Sequence, residues 1–246
     1  MFNFFVDESN FNGDSFIIEG SDYNHVKNVL RMRIGEKFLV SCNGVNNLCR
    51  LKCYTETSVV AEIVEKNYMD TSLPITIHLF QGLPKSDKME LIIQKAVELG
   101  VSEITPVEMS RCIVKLDSKK ESSKITRWQT IAESAAKQSK CSSIAKVNPV
   151  ISFNTAIKHA KDLDLLIVPY ESQNGMQSTL DALSKIQENM KVGILIGPEG
   201  GFSPEEIAKA KDNGASIVSL GKRILRTETA AITAVSMLML YAETKL

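Results

Sequence analysis

Lys191-Val192-Gly193-Ile194-Leu195-Ile196-Gly197-Pro198-Glu199-Gly200-Gly201-Phe202-Ser203-Pro204-Glu205-Glu206 is the stretch that decides the fold. Its run from Val192 to Ile196 is short and apolar, as in a strand buried on both faces of a parallel sheet. Gly197, Gly200 and Gly201 then make a turn. Ser203 is placed to cap a helix, with Pro204 at its first position and Glu206 completing a Ser-x-x-Glu capping box. A glycine-rich turn just past the carboxyl end of a parallel strand lies where open α/β sheets bind ligands, and glycine lets a ligand touch backbone. The spacing is neither Gly-x-Gly-x-x-Gly nor the phosphate-loop pattern, so it supports no dinucleotide or P-loop site. Taken alone, the turn serves a tight strand-to-helix connection as well as a ligand loop.

Working outward, apolar runs alternate with amphipathic ones from residue 75 onward. A strand over 75–81 leads through Gly82-Leu83-Pro84-Lys85 to Ser86, the expected cap of a helix with Met89, Ile92, Ile93, Ala96, Val97 and Leu99 at helical spacing, and Gly100 stops it. Further strands are predicted at 103–107, 164–169, 192–196 and 216–220, and helices near 125–139, 179–187, 204–212 and 230–243. Such alternation implies an α/β domain built on a mostly parallel sheet. The last strand and last helix are joined by Leu220-Gly221-Lys222-Arg223-Ile224-Leu225-Arg226-Thr227-Glu228-Thr229-Ala230, a second polar, glycine-bearing loop. Arg226 and Glu228 suit a salt bridge at a helix start, with Lys222 and Arg223 solvated. Two such loops at successive strand ends equally suit closure over one ligand.

The first 70 residues read differently. Short strands are predicted at 3–6, 15–18, 37–40, 48–54 and 59–64, separated by turn signals at Asn12-Gly13, Gly35 and Asn43-Gly44, with one helix over 22–32. This is the pattern of a small β-barrel. Asp70-Thr71-Ser72-Leu73-Pro74 interrupts both periodicities and reads as a linker. The expected division is therefore a barrel over 1–72 and an α/β domain over 73–246.

Hydrophobic residues make up 43% and charged residues 24% of the chain, which excludes a disordered protein. The formal net charge is zero, which argues against a broad, uniformly basic grip on nucleic acid. Residues 1–74 carry 7 basic against 10 acidic side chains, while 75–140 carry 11 against 8, so positive charge gathers in the middle. Arg111, Lys115, Lys119, Lys120, Lys124 and Arg127 surround a serine-rich stretch expected to be a mobile loop. That run suits phosphate contact or a merely solvated face. The five cysteines and three histidines show no zinc spacing, so the cysteines are expected to be reduced and no metal is expected. Asp7 and Glu8 stand where a signal peptide would continue apolar, and the longest apolar run is too short to span a bilayer. A cytoplasmic location with no membrane partner is the expectation.

At this point Gly82-Leu83-Pro84-Lys85-Ser86-Asp87-Lys88-Met89-Glu90, Gln94-Lys95-Ala96-Val97-Glu98-Leu99-Gly100, Arg127-Trp128, Glu133-Ser134-Ala135-Ala136-Lys137-Gln138-Ser139, the stretch 196–203 and the stretch 220–230 together resemble the ordered motif series of bacterial 16S ribosomal RNA uridine-N3 methyltransferases. The resemblance spans about 75–246. Phe4-Phe5-Val6 and His25-Val26-Lys27-Asn28-Val29-Leu30-Arg31 resemble the same family's PUA-like RNA-binding barrel. One departure is Asn3, where members often place arginine before the aromatic pair. With the net acidity of this part, it leaves Arg31, Arg33 and Lys37 as the local basic patch. What the resemblance implies is a SPOUT-class domain with a deep trefoil knot, S-adenosylmethionine as cofactor, a homodimer completing the site, and 16S ribosomal RNA or the assembled small subunit as partner. The final helix offers Ala231, Ala234, Val235, Leu238 and Met239 for the dimer, although packing within one subunit explains them as simply.

On that reading Gly197, Gly200, Gly201, Leu220, Ile224 and Leu225 form the cofactor pocket. Ile196, Pro198, Glu199, Gly221, Arg226, Thr227 and Thr229 belong to the same two loops, and Val168, Tyr170 and Glu171, beside Pro169, supply a third wall. Uridine N3 is a poor nucleophile until it loses its proton, after which charge spreads to O2 and O4. Arg226 is the expected cation for that charge. Glu228, with Glu199 second, is the expected base. C5 methylation would instead need a cysteine nucleophile, and no cysteine falls in these loops. Arg31, Arg33, Lys85, Lys88, Arg111, Lys115 and Arg127 are the expected RNA contacts, and an unpaired or flipped uridine is required. Two alternatives stand beside this: a non-catalytic RNA-binding or ribosome-assembly module, and a nucleotide-dependent hydrolase or oxidoreductase lacking a recognisable phosphate motif.

Overall fold

In the computed structural model, which describes residues 1–171 and 175–246, the chain forms two compact units. One comprises Met1–Ser72 and Ala136–Ile144, the other Leu73–Ala135 and Ala145–Leu246. The first unit thus takes in a segment well beyond the linker at 70–74. Segment 136–144 joins it through polar bonds that no periodicity reveals: the Asn3 and Asn46 amides donate to the carbonyls of Cys141 (3.1 Å) and Lys140 (3.0 Å), and the Lys137 ammonium lies 2.7 Å from Asp22.

The first unit holds β1 (Asn3–Phe5), β2 (Phe11–Asn12), β3 (Ser15–Glu19), β4 (Lys37–Cys42), β5 (Val45–Tyr54) and β6 (Ser58–Glu65). They form a mixed half-barrel sheet in the order β1-β4-β5-β6-β3-β2, with β1 parallel to β4 and the other pairs antiparallel. Alternate side chains from these strands, Phe4, Phe16, Ile18, Phe38, Val40, Leu51 and Val59 among them, fill one core. The helix expected over 22–32 is shorter: α1 (Gly20–Asn24) runs into a π-helical turn, His25–Val29. That wider turn buries Val26 and leaves Val29 at the surface. Asn3 is buried too, and its side-chain oxygen accepts from Ser41 (2.9 Å), so this position is internal structure.

The second unit contains β7 (Thr76–Gly82), α2 (Lys88–Glu98), β8 (Glu103–Glu108), α3 (Ser118–Ser139, its last turn counted with the first unit), β9 (Lys146–Val147), β10 (Ile151–Ser152), α4 (Phe153–His159), β11 (Leu165–Pro169), α5 (Gln177–Leu183), β12 (Lys191–Ile196), α6 (Pro204–Asp212), β13 (Ser216–Val218) and α7 (Thr227–Lys245). The sheet order is β10-β8-β7-β12-β11-β13, with β9 beside β8, and every pairing is parallel. From β7 the chain goes first toward β8 and later builds the opposite side. The order therefore reverses between β7 and β12, and such a switch point opens a crevice at the strands' carboxyl ends. Phe80, Val107, Phe153, Val168, Leu195, Phe202 and Ile207 form a core shared by sheet and helices.

Two local expectations are corrected and one open alternative is decided. Ser86 does not cap α2: it takes the left-handed φ of 58° and the helix starts at Lys88. The serine-rich stretch after Asp117 is the start of α3 rather than a loop, because the Asp117 carboxylate accepts from the Lys120 N–H (2.9 Å) and closes the first turn. Of the two readings of the final helix, packing within one subunit holds for Ala231, Ala234, Val235 and Leu238, which are buried, while Met239 is half-buried. Strands β9 and β10, at two residues each, and α4 lie below the length that periodicity can detect. Among the described residues no helix is long and apolar enough to cross a membrane.

Candidate active site

The loop 197–203 leaves β12 at the switch point. Gly201 adopts φ +66°, which favours glycine, and its N–H closes the turn on the Pro198 carbonyl at 2.8 Å. Ser203 then starts α6 with the expected box: its hydroxyl accepts from the Glu206 N–H, and a Glu206 oxygen accepts from the Ser203 N–H at 2.8 Å. The other Glu206 oxygen accepts the Ser110 N–H at 2.9 Å. The buried carboxylate thus pins the segment after β8 to the glycine turn. Arg111 reinforces this, its guanidinium donating to the Gly200 carbonyl at 3.0 Å.

The segment 219–226 forms the opposite lip. Its carbonyl and N–H at Ser219 are both held by the Thr179 hydroxyl, at 2.7 and 3.2 Å. Thr227 then joins the two loops: its hydroxyl donates to the Gly197 carbonyl (2.7 Å) and accepts from the Gln81 amide (3.0 Å). All three residues are buried, so the link is shielded from competing water. Between the lips lies a cavity of about 470 Å³, walled by both loops and by Pro169, Tyr170 and Glu171. That size falls in the range of small-molecule sites. Ile196, Pro198, Tyr170, Phe202, Leu220 and Leu225 give it apolar faces, and Lys88, Glu171, Glu199, Arg223 and Arg226 its charges.

Residues 71–239 match the RNA methyltransferase domain family, and residues 18–52 its PUA domain. The chain belongs to this RNA methyltransferase family. It is 36% identical to ribosomal RNA small subunit methyltransferase E of Bacillus subtilis over 90% of this chain and 88% of that protein. Against the Mesomycoplasma hyopneumoniae protein of the same name it is 34% identical, over 94% and 96% of the two chains. The solved ribosomal RNA small subunit methyltransferase E of Neisseria gonorrhoeae, bound to S-adenosyl methionine, superposes with a TM-score of 0.83 at 30% identity, covering 98% of this chain and 97% of that one.

In this RNA methyltransferase fourteen residues expected at the cofactor site line the cavity: Tyr170, Glu171, Ile196, Gly197, Pro198, Glu199, Gly200, Gly201, Leu220, Gly221, Ile224, Leu225, Arg226 and Thr227. Val168 does not, because it points into the core and is fully buried; Thr229 is exposed on α7 and also lies off the wall. Ser219, Phe202, Arg223 and Ala230 line it without having been singled out, although each adjoins a residue that was. Glu228 does not line the cavity itself. Its carboxylate, 14% exposed, stands 3.3 Å from the ammonium of Lys88, which does. That contact is an ion pair only, since the same oxygen, Oε2, accepts no hydrogen bond. Among the described residues Glu228 pairs with Lys88 and not with Arg226, so the helix-start salt bridge that the sequence also suits is not formed.

Lys88 reaches the cavity from the first turn of α2 and also lies 3.1 Å from Glu199. Hydrogen bonding to Glu199 holds the Lys88 ammonium above its usual range. Burial pushes the Glu199 carboxyl up, but the Lys85 N–H and the Lys88 ammonium outweigh it and hold that acid below its ordinary value. Of the other basic residues expected to meet RNA, Arg31, Arg33, Lys85 and Lys115 are exposed, Arg111 is bound to the glycine turn, and Arg127 pairs with Glu90 at 2.8 Å.

Proposed function

We propose that this methyltransferase transfers the methyl group of S-adenosylmethionine to N3 of a uridine in 16S ribosomal RNA of the small ribosomal subunit. The observation that carries the reading is the pair of loops, joined through Thr227 and Gly197, that encloses a cavity with apolar walls and a cation at its mouth. The apolar faces suit an adenine ring, and the carboxylates of Glu199 and Glu171 suit the cofactor's positive charges. The name of the relatives and the cofactor bound to the Neisseria protein support the same reading.

When bound, S-adenosylmethionine supplies an electrophilic methyl group and leaves as S-adenosylhomocysteine, the electron pair of the broken bond staying on sulfur. The protein's task is to make N3 nucleophilic. Glu228 takes the N3 proton, directly or through one water, and the freed lone pair forms the new N–CH3 bond. Arg226, exposed at the cavity mouth and without an ion pair among the described residues, faces the charge that spreads to O2 and O4. No cysteine lines the cavity among the described residues, which favours attack by nitrogen over a covalent C5 route. Arg31, Arg33, Lys85, Arg111, Lys115 and Arg127 serve as the RNA contacts.

We further propose a cytoplasmic homodimer and a trefoil knot. Segment 219–226 returns from edge strand β13 to α7, which packs against the central strands β7 and β12, and the Thr227 bond to Gly197 supports a crossing of the two loops there. Calorimetry with S-adenosylmethionine tests the reading first: one site per chain is expected, weakened by Thr227→Val. No binding by the unaltered protein would favour a non-catalytic RNA-binding module instead.

A further inference from the structure

Helix α2 opens with a cation, Lys88, at the end of a helix where the dipole disfavours positive charge. Before it stand Ser86 at φ +58°, uncommon for a residue other than glycine, and Asp87, whose side chain makes no capping bond. Local preference therefore runs against this helix start, and such conflicts gather at functional sites. What the turn achieves is contact with Glu199. The Lys85 N–H, at 3.0 Å, and the Lys88 ammonium, at 3.1 Å, meet the same carboxylate oxygen. On its other side the ammonium lies 3.3 Å from Oε2 of Glu228, a buried oxygen that accepts no hydrogen bond. Glu199 belongs to the loop after β12, Glu228 to the first turn of α7 and Lys88 to the first turn of α2. One ammonium holds all three segments at the cavity edge.

We propose that Lys88 is a positioning residue of the methyl-transfer site: set between Glu199 and Glu228, it fixes the Glu228 carboxylate for the N3 proton and ties it to the loop that walls the cavity. The inference rests on the methyl-transfer reading above. It also gives Lys88 a task other than phosphate contact, in keeping with a side chain that is 28% exposed and already engaged by two acids. Without the ammonium the two carboxylates repel each other across the cavity edge, and the base loses its fixed place.

The test uses the full-length protein with Lys88→Met, which keeps the side chain's length, and Lys88→Arg, which keeps its charge. Single-turnover methylation at saturating small subunit and S-adenosylmethionine reads the chemical step. Melting temperature, cofactor affinity and the salt dependence of RNA binding are measured beside it. Lys88→Met is expected to slow the chemical step by about 10²-fold or more, the range for losing a placed base, with both affinities within about threefold. Lys88→Arg restores the rate to within about tenfold, since one tenfold step is the most that slightly altered placement of a retained charge is asked to explain. A wild-type rate for Lys88→Met with weaker RNA binding and a salt slope lower by about one would make Lys88 a phosphate contact and overturn the proposal. So would equal loss in both variants with a collapsed melting temperature. Should Lys88→Met fail to fold, Glu199→Gln removes one arm and leaves the helix start intact; a chemical step within about threefold of wild type there is equally fatal. If the unaltered protein leaves N3 unmethylated, the functional reading itself fails, an outcome visible before any substitution is made.

Discussion

Arg226 begins α7 with its backbone, its carbonyl accepting the Ala230 N–H at 2.8 Å, while its guanidinium stays exposed at the cavity mouth. Removing that side chain should cost the helix little. If the guanidinium meets charge only as N3 loses its proton, Arg226→Ala should lower the single-turnover rate by about 10²-fold or more. Affinities for RNA and cofactor should stay within about threefold. A rate near wild type would place the catalytic cation elsewhere. The sequence leaves Gly200 two readings, a backbone open to ligand and a tight connection, and its surroundings support the second. A Cβ there would meet the Arg111 Cβ at 2.9 Å and its carbonyl at 3.2 Å. Gly200→Val should therefore lower the melting temperature and weaken the cofactor together, through a shifted loop, at a stability cost of about 1–3 kcal/mol. Selective loss of binding at unchanged stability would restore the ligand-space explanation. The glycines of the loop were legible because their spacing is local. Lys88 as a cavity residue was not, because nothing in the sequence announces that a helix start 111 positions before Glu199 folds against it.

At the scale of elements, the α6 start was fully legible, since Ser203, Pro204 and Glu206 encode it within four residues. Its wider use was not. Glu206 also accepts the Ser110 N–H, so the cap joins α6 to the segment after β8. Ser203→Ala should cost about 1 kcal/mol, the usual value of a lost cap. Glu206→Ala leaves two N–H groups without their acceptor and should cost more, about 1–3 kcal/mol each if both stay buried. Urea unfolding of the two variants compares them, and equal costs would mean that the Ser110 bond contributes nothing. Helix α3 shows why composition misled. Its serines suggested a loop, but Asp117 caps the helix and the lysines and glutamate that follow favour it.

For the whole molecule, the half-barrel and the parallel α/β unit were both legible from the change of period near residue 74. The return of 136–144 to the first unit was not, because it depends on the Asn3 and Asn46 amides. The proposed dimer also needs a new basis. With the Ala231–Leu238 side of α7 in the core, Leu91, at 43% exposed, and Leu240, at 55%, are apolar residues that α2 and α7 still present. Sedimentation should show a species of twice 27.2 kDa, and Leu91→Glu with Leu240→Glu should dissociate it. A fully active 27.2 kDa species would remove the dimer. The central claim, N3 methylation of a 16S uridine, is tested most directly by mass spectrometry of nucleosides from purified 16S ribosomal RNA of cells with and without this gene. Loss of N3-methyluridine from the deleted strain, restored by the wild-type gene and not by Arg226→Ala, is the predicted result. Undiminished N3-methyluridine in the deleted strain would contradict it.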